Sequence, residues 1–244
     1  LIMDNIYLFD VDGTLTEPRQ PMTACMTKDF RALVRDNLVY LVSGSNLEKL
    51  QEQVPDDILK ACTGVFSSSA NQLNIGAQLI YENELEIPPQ LSEFFKTFLE
   101  KSEYGERAGI HLEHRPGMIN FSVVGRAANK EQRKAYAAWD DKNQERKKAA
   151  ILLMASFPDL EATIGGEISI DVYPKGLDKR QSVEYLKERH PDHRICFFGD
   201  RTGKHGNDYS VVISLGKQDR VHTVATHFQT KELIGCYLRG ESFE

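Results

Sequence analysis

The chain has 244 residues, of which 41% are hydrophobic, and a net charge of −6 at pH 7. This length allows one large domain or two modest ones, and the composition is typical of a soluble globular protein. The acidic balance argues against a nucleic-acid partner, and no apolar run approaches the ~20 residues that cross a membrane. Four widely separated cysteines without a C-x-x-C pair or a leading signal peptide predict reduced thiols in a cytoplasmic protein.

The first third of the chain alternates predicted strands and helices. Apolar runs predict strands at 6–9, 38–43 and 63–66. Thr23 can cap a helix over 24–36, and Ser45 or Asn46 can cap a second helix that ends before Pro55. Because parallel strands need crossover helices, this order predicts a parallel sheet.

The middle of the chain has a different character. Its predicted helices are 88–102 and 129–157, and its predicted strands are 117–125 and 167–174. The segment 167–174 alternates polar and apolar residues strictly, which predicts a half-exposed antiparallel strand. The charge run at 140–148 predicts a solvated helix face.

The last third returns to the alternation of the first, with a predicted helix at 177–190 and a buried strand at 194–200. The sequence therefore predicts an α/β core with a parallel sheet, formed by residues 1–78 and 179–244. A smaller α+β domain, with an antiparallel sheet and helices, is expected as an insertion at 79–178.

Acidic residues follow the predicted strands of this core. Asp10 and Asp12 come directly after the first strand, and Asp200 and Asp208 come at and beyond the end of the last. Ligands of open parallel sheets bind at the carboxyl ends of the strands, so these four side chains can converge there. Carboxylates without a neighbouring His or Cys cluster suit Mg²⁺, which would also relieve the repulsion between them.

Three other motifs do not fit. A calcium-binding EF-hand loop beginning at Asp10 would need glycine and glutamate where the chain has Leu15 and Pro21. The segment "GDRTGKH" has the wrong glycine spacing for a nucleotide-binding phosphate loop. The segment "HLEH" at 111–114 is better explained as a surface strand than as a zinc site.

The motifs "FDVDGTLT", "LVSGSN", the segment around Lys179 and "GDRT…GND" resemble, in this order, those of the haloacid-dehalogenase-like phosphotransferases. The resemblance implies a Rossmann-like core. It also implies that Asp10 is a nucleophile that accepts a phosphoryl group and that Asp12 is the general acid/base. A carboxylate nucleophile divides one difficult transfer into two easier ones, and Mg²⁺ with Lys179 would neutralise the charge on the phosphoryl group.

The blocks "LTEPR", "EHRPGMINFSVVGRAANKEQR" and "GGEISIDVYPKGLDKR" resemble the eukaryotic-type phosphomannomutase family. The resemblance implies that arginines grip the distal phosphate of a sugar and that a serine and an aspartate hold its hydroxyls. The second motif should also contribute Ser43 or Ser45, of which we assign Ser45. The residues assigned to the substrate are Arg19, Ser45, Arg115, Arg126, Arg133, Ser169 and Asp171.

The resemblance implies interconversion of mannose 6-phosphate and mannose 1-phosphate, with a hexose 1,6-bisphosphate as intermediate and activator. It also implies a homodimer formed through the inserted domain. A sugar-phosphate phosphatase is the alternative, because it would need the same core and metal without the exclusion of water. A binding module that has lost its chemistry is disfavoured by the retention of Asp10, Asp12, Lys179 and Asp200.

Overall fold

The computed structural model describes residues 4–86 and 88–241. The strands are β1 (Asn5–Phe9), β2 (Leu38–Val42), β3 (Gly64–Ser67), β4 (Gln72–Ile75), β5 (Gln78–Glu82), β6 (Leu112–Arg115), β7 (Met118–Ser122), β8 (Leu160–Gly165), β9 (Ser169–Pro174), β10 (Arg194–Gly199) and β11 (Arg220–Thr223). The helices are α1 (Ala24–Asp36), α2 (Leu47–Gln53), α3 (Asp56–Ala61), α4 (Pro89–Lys101), α5 (Lys130–Asn143), α6 (Glu145–Ser156), α7 (Arg180–Arg189), α8 (Tyr209–Ser214) and α9 (His227–Leu238). None of the helices described is long and apolar enough to span a bilayer.

Seven strands form the larger sheet, in the order β11-β10-β1-β2-β3-β4-β5. The first five are parallel, as the alternation of strands and helices predicts, and β4 and β5 continue the sheet antiparallel. Strand β1 lies between β10 and β2, with Phe9 opposite Phe198. This register brings the carboxyl ends of β1 and β10 side by side, although nearly 190 residues separate them in sequence.

The helices of the first third begin where side chains can cap them. The side chain of Thr23 accepts a hydrogen bond from the Met26 amide, and α1 covers the predicted residues 24–36. Of the two possible caps of α2, Asn46 is the one used, because its Oδ1 accepts a hydrogen bond from the Lys49 amide. Both caps satisfy backbone donors that the first helical turn leaves unpaired.

Four antiparallel strands form the smaller sheet, in the order β6-β7-β9-β8. One apolar cluster joins this sheet to α4, α5 and α6 and includes Phe95, Phe121, Tyr136 and Leu153. We call these elements, from α4 to β9, the cap, and the larger sheet with its helices the core. The expected α/β core with a separate antiparallel sheet and helices is confirmed.

The predicted helix at 129–157 is two helices. Gln144 has φ of +55°, a left-handed conformation that ends α5 before α6 begins. The break lets Arg146 fold back onto Asp140, and the two buried side chains form an ion pair at 2.6 Å. The charge run 140–148 is therefore not a uniformly solvated face. The prediction missed this because sequence periodicity cannot detect an ion pair across a helix break.

Strand β9 is buried on both faces, and the expectation of a half-exposed strand was wrong. The apolar face packs in the cap cluster, while the polar face, with Ser169 and Asp171, is buried and turned toward the core. A Cβ placed on Gly44 of the core would lie only 3.0 Å from Oδ2 of Asp171. The polar alternation marked the face of this strand that turns toward the core rather than a solvent-facing one.

Strand β5 belongs to the larger sheet. It pairs antiparallel with β4 through Glu82, so the core sheet continues a few residues past the boundary expected at residue 79. The reason is a hairpin, whose short strands and turn residues resemble an exposed linker in sequence.

Candidate active site

Three aspartates converge at the carboxyl ends of β1 and β10. One carboxylate oxygen from each of Asp10, Asp200 and Asp208 lies within 4.8 Å of the others. Gly13 permits this approach, because a Cβ at its position would be 2.5 Å from Oδ2 of Asp200, and its φ of +85° disfavours other residues.

Lys179 lies between two of these carboxylates. Its Nζ is 2.6 Å from Oδ1 of Asp10 and 2.7 Å from Oδ1 of Asp208, and all three side chains are buried. Burial alone would lower the pKa of Lys179, but the two negative charges outweigh it and raise that pKa. The lysine is therefore a cation that lies beside the carboxylate of Asp10.

Burial and neighbouring charges also shift the pKa values of the aspartates. Burial, and then the charge of Asp208, raise the pKa of Asp10 above its ordinary value and that of Asp200 to about 6. A set of hard carboxylate oxygens under such repulsion fits a divalent cation such as Mg²⁺. Asp10, Asp200 and Asp208 are the described residues suited to hold it.

Asp12 was expected among the metal ligands, but its carboxylate lies outside this group. Its Oδ1 accepts hydrogen bonds from the Arg19 amide at 2.8 Å and from Nε2 of Gln53 at 2.9 Å. Its Oδ2 accepts one from Oγ of Ser45 at 3.3 Å. These donors hold the Asp12 side chain in the cavity rather than in the metal group, a difference that residue spacing along the loop cannot predict.

A polar cavity separates the core from the cap, and Asp10, Asp12 and Asp200 line its core side. All seven residues assigned to the substrate line the same cavity: Arg19, Ser45, Arg115, Arg126, Arg133, Ser169 and Asp171. Ser43 lines it as well. The structure thus brings together residues from both ends and the middle of the chain.

The cap arginines are held by two glutamates. Nε of Arg115 donates to Oε1 of Glu113 at 3.0 Å, and Nε of Arg126 donates to Oε2 of the same carboxylate at 2.6 Å. Nε of Arg133 donates to Glu167 at 3.2 Å. Three arginines are thereby fixed around one cavity, an arrangement that can bind a phosphate through charge-assisted hydrogen bonds.

The polar face of β9 completes the cap side. Oγ of Ser169 accepts a hydrogen bond from Nη1 of Arg126 at 2.8 Å. Oδ1 of Asp171 accepts one from Nδ2 of Asn120 at 2.7 Å, and burial raises the pKa of this aspartate. An oriented hydroxyl and carboxylate of this kind can bind the hydroxyls of a sugar.

The sequence model of the eukaryotic phosphomannomutase family matches residues 26–234. The chain belongs to this family. A phosphomannomutase of Triticum aestivum is 35% identical over 229 residues, which cover 90% of this chain and 89% of the relative. A phosphomannomutase of Saccharomyces cerevisiae is 34% identical over 218 residues, which cover 86% and 85% of the two chains. The resemblance seen in the sequence motifs is confirmed.

Solved structures similar to this chain have the haloacid-dehalogenase-like fold. The C-terminal domain of C. albicans trehalose-6-phosphate phosphatase has a TM-score of 0.68 at 17% identity, covering 98% of this chain and 93% of the other. A subclass IIB sugar phosphatase of the same superfamily has a TM-score of 0.58 at 15% identity, covering 96% and 98%. At these identities the likeness confirms the fold alone.

The phosphomannomutase motifs pointed to the arginines but not to the residues that hold them. Glu113, Glu167, Asn120 and Gln53 were not identified from the sequence. Glu113 lies inside the segment considered as a zinc site, and β6 is the strand expected there. The signal that could have identified it is its position two residues before Arg115, on the same face of that strand.

Proposed function

We propose that this chain is a phosphomannomutase, which interconverts mannose 6-phosphate and mannose 1-phosphate. The observation that carries the proposal is a single cavity with positively charged groups on both its core side and its cap side. On the core side lies a buried aspartate paired with a lysine, and on the cap side lie three arginines. A mutase needs both sides at once, because its bisphosphate intermediate carries two phosphates.

Asp10 is the proposed nucleophile. The first step starts from phospho-Asp10. In it, the bond between phosphorus and the Asp10 carboxylate breaks while a bond forms between phosphorus and the free hydroxyl oxygen of a hexose monophosphate. Lys179 provides positive charge on the Asp10 side of this transfer. Mg²⁺, held by Asp10, Asp200 and Asp208, would supply further positive charge to the phosphoryl oxygens.

Asp12 is the proposed general acid/base. It takes the proton of the attacking sugar hydroxyl in the first step and returns it to the leaving oxygen in the second. Hydrogen bonds from Gln53 and the Arg19 amide hold its Oδ1. Oδ2, with its longer bond from Ser45, is the oxygen better placed to exchange a proton.

The cap arginines bind whichever phosphate is not reacting. The hexose 1,6-bisphosphate formed in the first step must turn over, so that its other phosphate meets Asp10 and the first is held by Arg115, Arg126 and Arg133. The second transfer regenerates phospho-Asp10. An added hexose 1,6-bisphosphate is the proposed activator because it can load Asp10 before the first turnover.

Closure of the cap distinguishes a mutase from a phosphatase, since water reaching phospho-Asp10 would hydrolyse it. Nη1 of Arg115 donates to the Gly44 carbonyl of the core, and Ile164 of the cap forms a β-bridge with Gly206 of the core. These contacts support a closed arrangement. A sugar-phosphate phosphatase remains the second candidate, because the structural neighbours include phosphatases of this fold.

A coupled assay tests the proposal. Mannose 1-phosphate and Mg²⁺ are supplied with and without a trace of hexose 1,6-bisphosphate, and mannose 6-phosphate and free phosphate are measured in parallel. The mutase proposal requires bisphosphate-dependent isomerisation with little free phosphate. Free phosphate in place of the isomer would identify a phosphatase.

Two further features belong to the proposal. Pairing of two copies through the cap follows from the resemblance, and sedimentation of the chain with and without changes at exposed Ile151 and Leu152 of α6 would test it. A cytoplasmic location follows from cysteine usage and is testable by fractionation.

A further inference from the structure

Glu113 is bound to both of the arginines that flank it in the cap. Each of its carboxylate oxygens accepts one Nε–H, from Arg115 on one side and Arg126 on the other. The side chain of Glu113 is 17% exposed, and those of Arg115 and Arg126 are 4% and 9% exposed. A single carboxylate is therefore the shared partner of two nearly buried guanidinium groups.

The atom through which each arginine bonds to Glu113 decides which of its N–H groups remain for other partners. A guanidinium group has five N–H donors in a fixed plane, and the Nε–H points along one edge of it. Because Glu113 takes this edge in both arginines, the terminal Nη groups remain for other partners. One Nη of Arg115 reaches the Gly44 carbonyl, and one Nη of Arg126 reaches Ser169.

We propose that Glu113 is a positioning residue that sets the planes of Arg115 and Arg126, so that their terminal amino groups face the phosphate of the substrate. The inference rests on the proposed function, because it assigns these arginines to a sugar phosphate. Glu113 makes no bond to the reacting atoms in this assignment. It acts through the arginines, because it fixes their orientation before the substrate binds. Less conformational entropy is then lost on binding.

A simpler role for Glu113 predicts the opposite effect. If Glu113 were only a counter-charge, it would compete with the phosphate for the arginines, and its removal would make the cavity more positive. Phosphate binding would then become tighter. The positioning role predicts weaker binding, so the sign of the change separates the two.

The experiment measures affinity without turnover. Calorimetry with mannose 1-phosphate and Mg²⁺ is carried out on the Asp10→Asn protein, alone and combined with Glu113→Gln or Glu113→Asp. The glutamine keeps the length of the side chain, but its NH₂ group cannot accept a hydrogen bond, so one of the two Nε–H donors loses its acceptor. The aspartate keeps the charge but is one methylene shorter. Glu93→Gln, at an exposed position of α4, is the control for loss of one cap charge.

Both Glu113 variants are expected to bind mannose 1-phosphate at least about tenfold more weakly, since a charge-assisted hydrogen bond is lost or misdirected in each. In the Asp10-containing protein, Glu113→Gln should raise KM about tenfold and leave kcat within a few-fold. That split is typical of binding energy that the ground and transition states share. Glu93→Gln should change neither the affinity nor KM. Thermal unfolding shows whether each variant is folded, and Glu113→Asp carries the test if Glu113→Gln is not.

The positioning role would be overturned if Glu113→Gln bound mannose 1-phosphate as tightly as the Asp10→Asn parent or more tightly. It would also be overturned if Glu113→Asp had the same affinity as the parent. In either case the unmodified enzyme would still isomerise its substrate, so the proposed function would stand. If the Asp10→Asn parent itself binds no mannose 1-phosphate, and the unmodified enzyme does not isomerise it, the proposed function fails, and the role of Glu113 fails with it. The two failures are thus told apart by the Asp10→Asn parent and the unmodified enzyme, without any Glu113 variant.

Discussion

Nζ of Lys179 lies 2.6 Å from Oδ1 of Asp10 in the interior of the protein, where both side chains are almost completely buried. The same Nζ is 2.7 Å from Asp208. Without the lysine, the two acids would be left in the interior with no cation between them, and an uncompensated buried charge is costly. The chemistry and the stability of the core are therefore linked at one atom.

Replacing Lys179 with methionine should destabilise the metal-free protein by about 3–5 kcal/mol, since two buried carboxylates lose their cation. Mg²⁺ should then stabilise the variant more than the unmodified protein, because the ion supplies the missing charge. Urea unfolding with and without Mg²⁺ measures both effects. Lys60→Met, which removes an exposed ion pair with Asp56, should cost less than about 1 kcal/mol. Equal Mg²⁺ responses in the two variants would contradict the assignment of the metal ligands.

Gln53→Leu should lower kcat about tenfold with little change in KM. The side chain of Gln53 is buried and donates to Oδ1 of Asp12, so its loss leaves the proposed general acid/base less well oriented. Steady-state kinetics of isomerisation measure the effect. Gln51→Leu, at an exposed position two residues earlier in α2, is the matched control and should leave kcat unchanged. A rise in KM with unchanged kcat would assign Gln53 to substrate binding instead.

Gly44→Ala should shift the enzyme from isomerisation toward hydrolysis. The added Cβ would lie 3.0 Å from Oδ2 of Asp171 across the junction of core and cap, so one of them must move. We expect the ratio of free phosphate to mannose 6-phosphate to rise several-fold, because water gains access to phospho-Asp10. Gly203→Ala has no atom within 4 Å of the new Cβ and should leave the ratio unchanged. An unchanged ratio in Gly44→Ala would mean that this contact does not control closure.

Glu113 should contribute to stability at neutral pH and lose that contribution in acid. Burial alone would raise its pKa, but the hydrogen bonds and charges of Arg115 and Arg126 outweigh burial and lower the pKa from 4.5 to about 2. The stabilisation is therefore complete above about pH 4.5 and disappears as the pH falls toward 2, where the folded state also takes up the proton. Between pH 5 and pH 3, the unmodified protein should lose roughly 1–2 kcal/mol more than Glu113→Gln once solvent screening is allowed for. Parallel pH profiles in urea unfolding would contradict this.

Much of the acidic end of the candidate site was predictable from the sequence. Asp10 and Asp200 each follow a buried apolar strand, and parallel strands end at one edge of a sheet, so their convergence follows from connectivity. The motif resemblance added Lys179 and the residues assigned to the substrate, and these line or underlie one cavity. The break at Gln144 was not predicted, because the helical pattern continues across it with no proline or glycine.

What the sequence by itself determined is the chemistry available and the end of the sheet where it gathers, since strand order and side-chain alternation are local rules. Only the tertiary structure decided how each side chain is oriented. Asp12 is held by Gln53 of another element, Glu113 joins two arginines, and the polar face of β9 is buried. Hydrogen bonds between distant segments depend on atomic positions within about half an ångström, and those positions exist only once the core and the cap have packed together.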